Sequence, residues 1–159
     1  TGNSARSIFA EAILRKTSES RFIAYSAGTA PAAQPAPLAL EGLLANGHDI
    51  APLRSKHIRE FKRADAPRMD FVFTVCDRIA NENCPVLEGH PMSAHWGMPD
   101  PASAQGGSAL RKLAFQHAYS ALSNRIRAFT ALPHATLDQI SLQHAVDHIG
   151  AQDLEGIPT

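Results

Sequence analysis

The chain has 159 residues, 44% apolar and 19% charged, enough for one domain with a sizeable core and outside the polar compositions that stay disordered. Fifteen basic side chains balance fifteen acidic ones for a net charge of +0, so no global field steers the chain onto nucleic acid or an anionic membrane, and any anion it binds must be captured locally. Apolar stretches fall short of the ~18 residues of a spanning helix, no basic-then-apolar leader is visible, and two cysteines are too few for a disulfide scaffold. A soluble, cytoplasmic protein without nucleic-acid or membrane partners is expected.

From Ser7 onward Ile8, Phe9, Ala12 and Ile13 recur at helical spacing, with Glu11, Arg15 and Lys16 outside. Residues 22–26 (Phe-Ile-Ala-Tyr-Ser) read as a strand closed by Ala27-Gly28. Three prolines make 29–37 a loop, and the next helix starts near Pro37 and stops at Asn46-Gly47. Residues 55–61 read as a short helix and 69–75 as the strongest strand, apolar enough for a sheet covered on both faces. A polar segment over 77–83, a short strand over 93–96 and a loop over 97–101 follow. A long helix over 109–132 has Leu110, Leu113, Ala118, Leu122, Ile126 and Phe129 as its inward stripe. A closing helix over 136–149 and a frayed tail over 151–159 complete a single domain spanning 1–150. Strands alternating with helices predict a three-layer α/β/α fold on a parallel sheet, with ligands bound at the carboxyl ends of the strands.

The opening residues Thr1, Gly2, Asn3, Ser4, Ala5, Arg6 and Ser7 place a run of backbone amides at a helix N-terminus. Gly2 and Asn3 can take positive φ, and Arg6 can fork onto an oxyanion; amides, helix dipole and guanidinium together make an anion trap. The plainer alternative is a helix start capped by Ser4 or Ser7 with a solvated Arg6. Cys76 and Cys84 lie eight residues apart. A helix between them would hold their Cα atoms ~12 Å apart, whereas a disulfide tolerates ~7 Å. If both thiols react, the segment between them must be a two-state element. The alternatives are a buried Cys76 beside an incidental exposed Cys84, or a zinc site with His90 and His95, whose intervals match no familiar pattern; no metal and no cofactor is expected. Asp100 lies between Pro99 and Pro101, either a carboxyl held for proton transfer or an Asp-Pro turn that starts a helix.

Together these residues resemble the arsenate reductases built on the low-molecular-weight tyrosine phosphatase fold. The likeness runs from Thr-Gly-Asn-Ser-Ala-Arg-Ser through Ser26-Ala27-Gly28, Val75-Cys76-Asp77 and Cys84-Pro85 to Ala94-His95-Trp96-Gly97-Met98-Pro99-Asp100-Pro101. It implies a four-stranded parallel sheet. It also implies a phosphatase loop of the form Cys-x5-Arg-Ser, ending in Arg6-Ser7, with the nucleophilic cysteine expected just before Thr1 on a first strand that also precedes it. A chain that lost that strand should expose two sheet edges, so a longer native protein is expected rather than a truncated, defective one. By the same likeness a loop thiolate attacks arsenate while Asp100 protonates the departing oxygen. Cys76 then displaces arsenite, and Cys84 resolves the mixed disulfide into a pair that thioredoxin or a related thiol reductant reduces. Asn3, Glu11 and Ser26 resemble a loop-supporting monovalent-cation site of some members, with Lys56 as a built-in substitute. The alternatives are a phosphatase, which needs the loop and Asp100 but neither cysteine, and a non-catalytic module that binds phosphate or arsenate.

Overall fold

The computed structural model describes residues 1–77 and 87–152. Its elements run α1 (Arg6–Thr17), α2 (Pro37–Ala45), a 3-10 turn (Ile58–Lys62), β1 (Phe71–Thr74), β2 (Met92–His95), a second 3-10 turn (Pro101–Ser103), α3 (Ser108–Ala131) and α4 (Gln139–Ala151). β1 and β2 pair in parallel, Phe71 opposite Met92 and Thr74 opposite His95. Because parallel strands end side by side, the segments leaving them, Cys76-Asp77 and Trp96 to Asp100, emerge together at one end of the sheet.

Among the described residues the sheet has two strands, where three of the expected four fall within the chain. Residues 22–26 form no ladder; the nearest pairing is a single parallel bridge between Gly28 and His57. Their burial still alternates, with Ala24 and Ser26 inside and Ile23 (80% exposed) and Tyr25 (41%) outside, which is the period of an extended segment lacking a ladder partner. All four residues of β1 are only half-buried, so the expected cover on both faces is not seen among the described residues. The short helix expected over 55–61 is the 3-10 turn at Ile58–Lys62.

The helices follow the sequence more closely. Pro37 opens α2, and Gly47, at φ 74°, follows its end. α4 begins at Gln139 rather than near 136 because the Asp138 carboxylate accepts from the Ser141 amide at 2.7 Å and fixes the start. α3 corrects the stripe at one end: Leu110 (59% exposed) and Leu113 (41%) face solvent, whereas Phe115, Ala118, Leu122, Ile126 and Phe129 are buried. In its first two turns Lys112 reaches across to Glu41 of α2 at 2.8 Å, an exposed ion pair. Its middle packs on α1 through Phe115 and Tyr119, both edge-on to Phe9, and its end seats Phe129 against Phe71, Phe73 and Trp96.

A histidine–tyrosine pair borders this core. The buried His48 ring meets the Tyr119 hydroxyl, Nε2 to Oη, at 2.7 Å. Burial, and then the nearby Lys16 ammonium, hold the imidazole below its usual pKa against a smaller pull from the Ala12 backbone. The native state therefore favours neutral His48, while the unfolded chain takes up a proton near the ordinary value of 6.5. Stability that is complete above that pH is lost as the pH falls toward the lowered native value. The urea midpoint should drop between pH 7.5 and 5.5, and His48→Gln should flatten the drop; identical slopes in the two proteins would contradict this.

Candidate active site

The amino-terminal loop curls because its carbonyls are all engaged on the outside. Thr1 O accepts from the Ala30 amide (3.2 Å), Gly2 O from Ala32 (2.8 Å), Asn3 O from the Ser55 hydroxyl (2.7 Å), Ser4 O from Ala36 (2.8 Å) and Ala5 O from Phe9 (2.9 Å). The N–H groups of Gly2 to Ser7 have no acceptor among the described residues. The cap of α1 is Ala5, with no side-chain hydrogen bond, so the expected alternative of a Ser4 or Ser7 cap is overturned. Ser7 Oγ instead accepts from Asn3. The result is a helix N-terminus whose donors remain available to an anion.

Asn3 sets the curl. It takes the left-handed conformation (φ 46°), whereas Gly2, expected to share that freedom, does not. The buried Asn3 side chain donates to Ser7 Oγ and Ser26 Oγ, both at 2.9 Å, and accepts from the Lys56 amide at 2.9 Å. Those bonds hold a conformation that an L-residue otherwise disfavours. Gly28 permits the approach of the neighbouring segment: a Cβ there would lie 2.0 Å from Thr1 O. Beneath, the buried Glu11 carboxylate accepts from Ser26 Oγ and pairs with Arg15 and with Lys56 Nζ (3.3 Å). Lys56 Nζ also donates to Arg54 O at 3.2 Å. Its ammonium thus sits against Glu11 and Ser26, beside Asn3.

Arg6 is where the separate segments meet. Its side chain is 12% exposed; Nη1 donates to Met98 O at 2.8 Å and lies 3.6 Å from Asp77, and Nη2 lies 3.4 Å from Asp100 Oδ2. Asp100 starts a turn and also faces Arg6. Oδ1 accepts from the Ala102 amide at 3.1 Å and starts the 3-10 turn, while Oδ2 faces the guanidinium. Cys76 belongs to the same assembly through its backbone, its carbonyl lying against Gly97, where a Cβ would come within 2.8 Å. Cys84 lies outside the described residues. No group of three potential metal ligands occurs among the described residues, and His95 Nδ1 is engaged with Thr74 Oγ1 at 2.7 Å, joining the two strands. Asp77 carries no signal of its own in the sequence, because an acidic residue leaving a strand looks like any loop start.

The assembly lies at the carboxyl ends of β1 and β2, as expected for ligand sites on parallel sheets. A cavity of about 600 Å³ lined by Arg68, Phe71, Met92 and Gln143 opens at the opposite, amino ends, away from this chemistry.

The sequence profile of the low molecular weight phosphotyrosine protein phosphatases matches residues 1–140, and the chain belongs to that family. Within it, relatives are arsenate reductases: that of Shouchella clausii is 34% identical, over 81% of this chain and 89% of its own length. The arsenate reductase of Bacillus subtilis is 33% identical over the same shares. Among solved structures, the arsenate reductase of Archaeoglobus fulgidus superposes with a TM-score of 0.64 over 82% of this chain and 94% of that one, at 23% identity. The thioredoxin-dependent arsenate reductase of Corynebacterium glutamicum gives a TM-score of 0.56 at 25% identity, over 80% of this chain and 55% of that one.

Proposed function

We propose that this protein reduces arsenate to arsenite through a cysteine relay ending in a disulfide between Cys76 and Cys84. The observation that carries the reading is the convergence on Arg6 of the amide-lined loop, Asp100, and the strand end bearing Cys76. The loop amides and Arg6 hold the oxyanion. The attacking thiolate belongs to the position before Thr1, and Asp100 supplies the proton that lets an arsenate oxygen leave as water. Cys76 attacks that sulfur, and the S–As electron pair departs with arsenic, which leaves as arsenite in the +3 state. Cys84 attacks Cys76, frees the first thiolate, and the new disulfide is reduced by thioredoxin or a similar dithiol. Such a cycle needs the reducing cytoplasm. The parent fold in this reading is one unit over residues 1–150 on a four-stranded parallel sheet, supported by the alternating burial of residues 22–26.

The test uses the full-length protein. Cys84→Ser should leave a single turnover intact and abolish repeated turnover with thioredoxin; undiminished cycling would remove its resolving role. Hydrolysis of p-nitrophenyl phosphate by a variant lacking Cys76 and Cys84, from a parent that reduces no arsenate, would turn the assignment to a phosphatase.

A further inference from the structure

Behind the loop that carries Asp100 lies a second arginine. Arg125 of α3 is 4% exposed and directs its guanidinium to main-chain carbonyls: Nη1 to Trp96 O at 2.6 Å and Gly97 O at 3.3 Å, Nη2 to Gly150 O at 3.3 Å. No carboxylate pairs with it among the described residues. A buried cation is costly to desolvate, and partial charges can offset the water it gave up. Two sources are in place. One is the pair of loop carbonyls; the other is the carboxyl end of α4, whose last-turn carbonyls carry the negative end of the helix dipole.

The contact with α4 is close and specific. A Cβ on Gly150 would lie 2.4 Å from His95 O and 2.6 Å from Trp96 Cδ1, so only glycine lets the helix end reach the loop. Trp96 Nε1 donates to Val146 O at 2.9 Å and ties the same helix to the same loop. From the other side Arg6 holds Met98 O at 2.8 Å. Three consecutive carbonyls, of Trp96, Gly97 and Met98, are therefore each held by an arginine, and Asp100 follows two residues later. Gly150 lies beyond the residues 1–140 that the family profile matches.

We propose that Arg125 is a positioning residue for proton transfer by Asp100, with the carboxyl end of α4 as its counter-charge, so that the C-terminal helix is a working part of the active site. This rests on the reading of Asp100 as the proton donor. An arginine that reaches three carbonyls fixes the loop in a way a shorter, single-headed ammonium does not.

The experiment is a double-mutant cycle in the full-length enzyme, scored by steady-state arsenate reduction. Arg125→Lys should lower kcat about tenfold or more, as a small misplacement of an acid does, and change KM for arsenate less than twofold. The double variant Asp100→Asn with Arg125→Lys should be no slower than Asp100→Asn alone. Gly150→Ala, which pushes the helix end and its Gly150 carbonyl off the loop and away from an unaltered Arg125, should reproduce both results if Arg125→Lys fails to fold. Leu43→Ala, in the α2 core, should lower Tm without changing kcat. Losses that multiply in the double variant would overturn the proposal, as would a kcat within twofold of the parent in both Arg125→Lys and Gly150→Ala. An Asp100→Asn enzyme with undiminished kcat would instead overturn the proton-donor reading, and the positioning role with it.

Discussion

Arg6→Ala in the full-length protein should lower kcat/KM for arsenate by about 10²–10³-fold, the loss typical of removing one preorganised charge-stabilising donor. Among the described residues the guanidinium joins the amino-terminal loop to both segments that leave the strands: Met98 O at 2.8 Å, Asp100 at 3.4 Å and Asp77 at 3.6 Å. It is also nearly sheltered from solvent, at 12% side-chain exposure, so its interaction with a bound oxyanion is little screened. Its removal strips the cation from a trap whose remaining donors are neutral amides, and leaves Asp77 and Asp100 facing the incoming anion uncompensated. Arg6→Lys should recover only part of the loss, because one ammonium cannot present the two-pronged donor set. Calorimetry with inorganic phosphate provides the independent check, since binding needs no turnover. An Arg6→Ala protein that binds phosphate as the parent does and turns over within threefold of it would refute the site as described.

The second large effect concerns stability. Lys56→Met should destabilise the fold by about 3 kcal/mol, the low end of what breaking a buried ion pair costs. Lys56 and Glu11 have side-chain exposures of 6% and 1%, and their 3.3 Å contact joins the turn after Arg54 to the middle of α1. Without the ammonium, Glu11 keeps Arg15 and the Ser26 hydroxyl, which holds the cost below that of a fully orphaned carboxylate. Glu11→Gln in the same chain should recover part of the loss by removing the stranded charge, and this non-additivity is the signature of a direct pair. Denaturant unfolding of the four proteins gives the cycle. A single-variant loss under about 1 kcal/mol would mean that the pair contributes as a surface ion pair does.

Much of the site could be read from residue types at short spacing. Arg6, Asp100 and Cys76 are recognisable because the chemistry requires a guanidinium after an amide-rich turn, a carboxyl between prolines and a thiol at a strand end. α2 announces both its ends, through Pro37 and Asn46-Gly47. What was illegible depends on contacts between distant segments. Residues 22–26 have the composition of a strand, but a ladder requires a neighbour that composition does not specify. Leu110 and Leu113 continue the helical period of α3 but stay exposed, because period alone does not say which turns a neighbour covers. Ser4 and Ser7 have the chemistry of caps, yet Asn3 claims Ser7 and its left-handed backbone turns the chain before a cap can form. Arg125 does carry a readable signal: it falls at i+3 from Leu122 and four residues before Phe129, on the buried stripe, where a charged residue demands an explanation.

Trp96 is the chain's single tryptophan. Its ring is 2% exposed, stacked on Phe73 with centroids 4.0 Å apart, and its carbonyl belongs to the same main-chain stretch that leads to Asp100. The molecule thus carries an optical reporter of its own, since indole emission responds to stacking and hydration. Movement of the acid-bearing loop during the cycle can be followed by fluorescence in unlabelled protein.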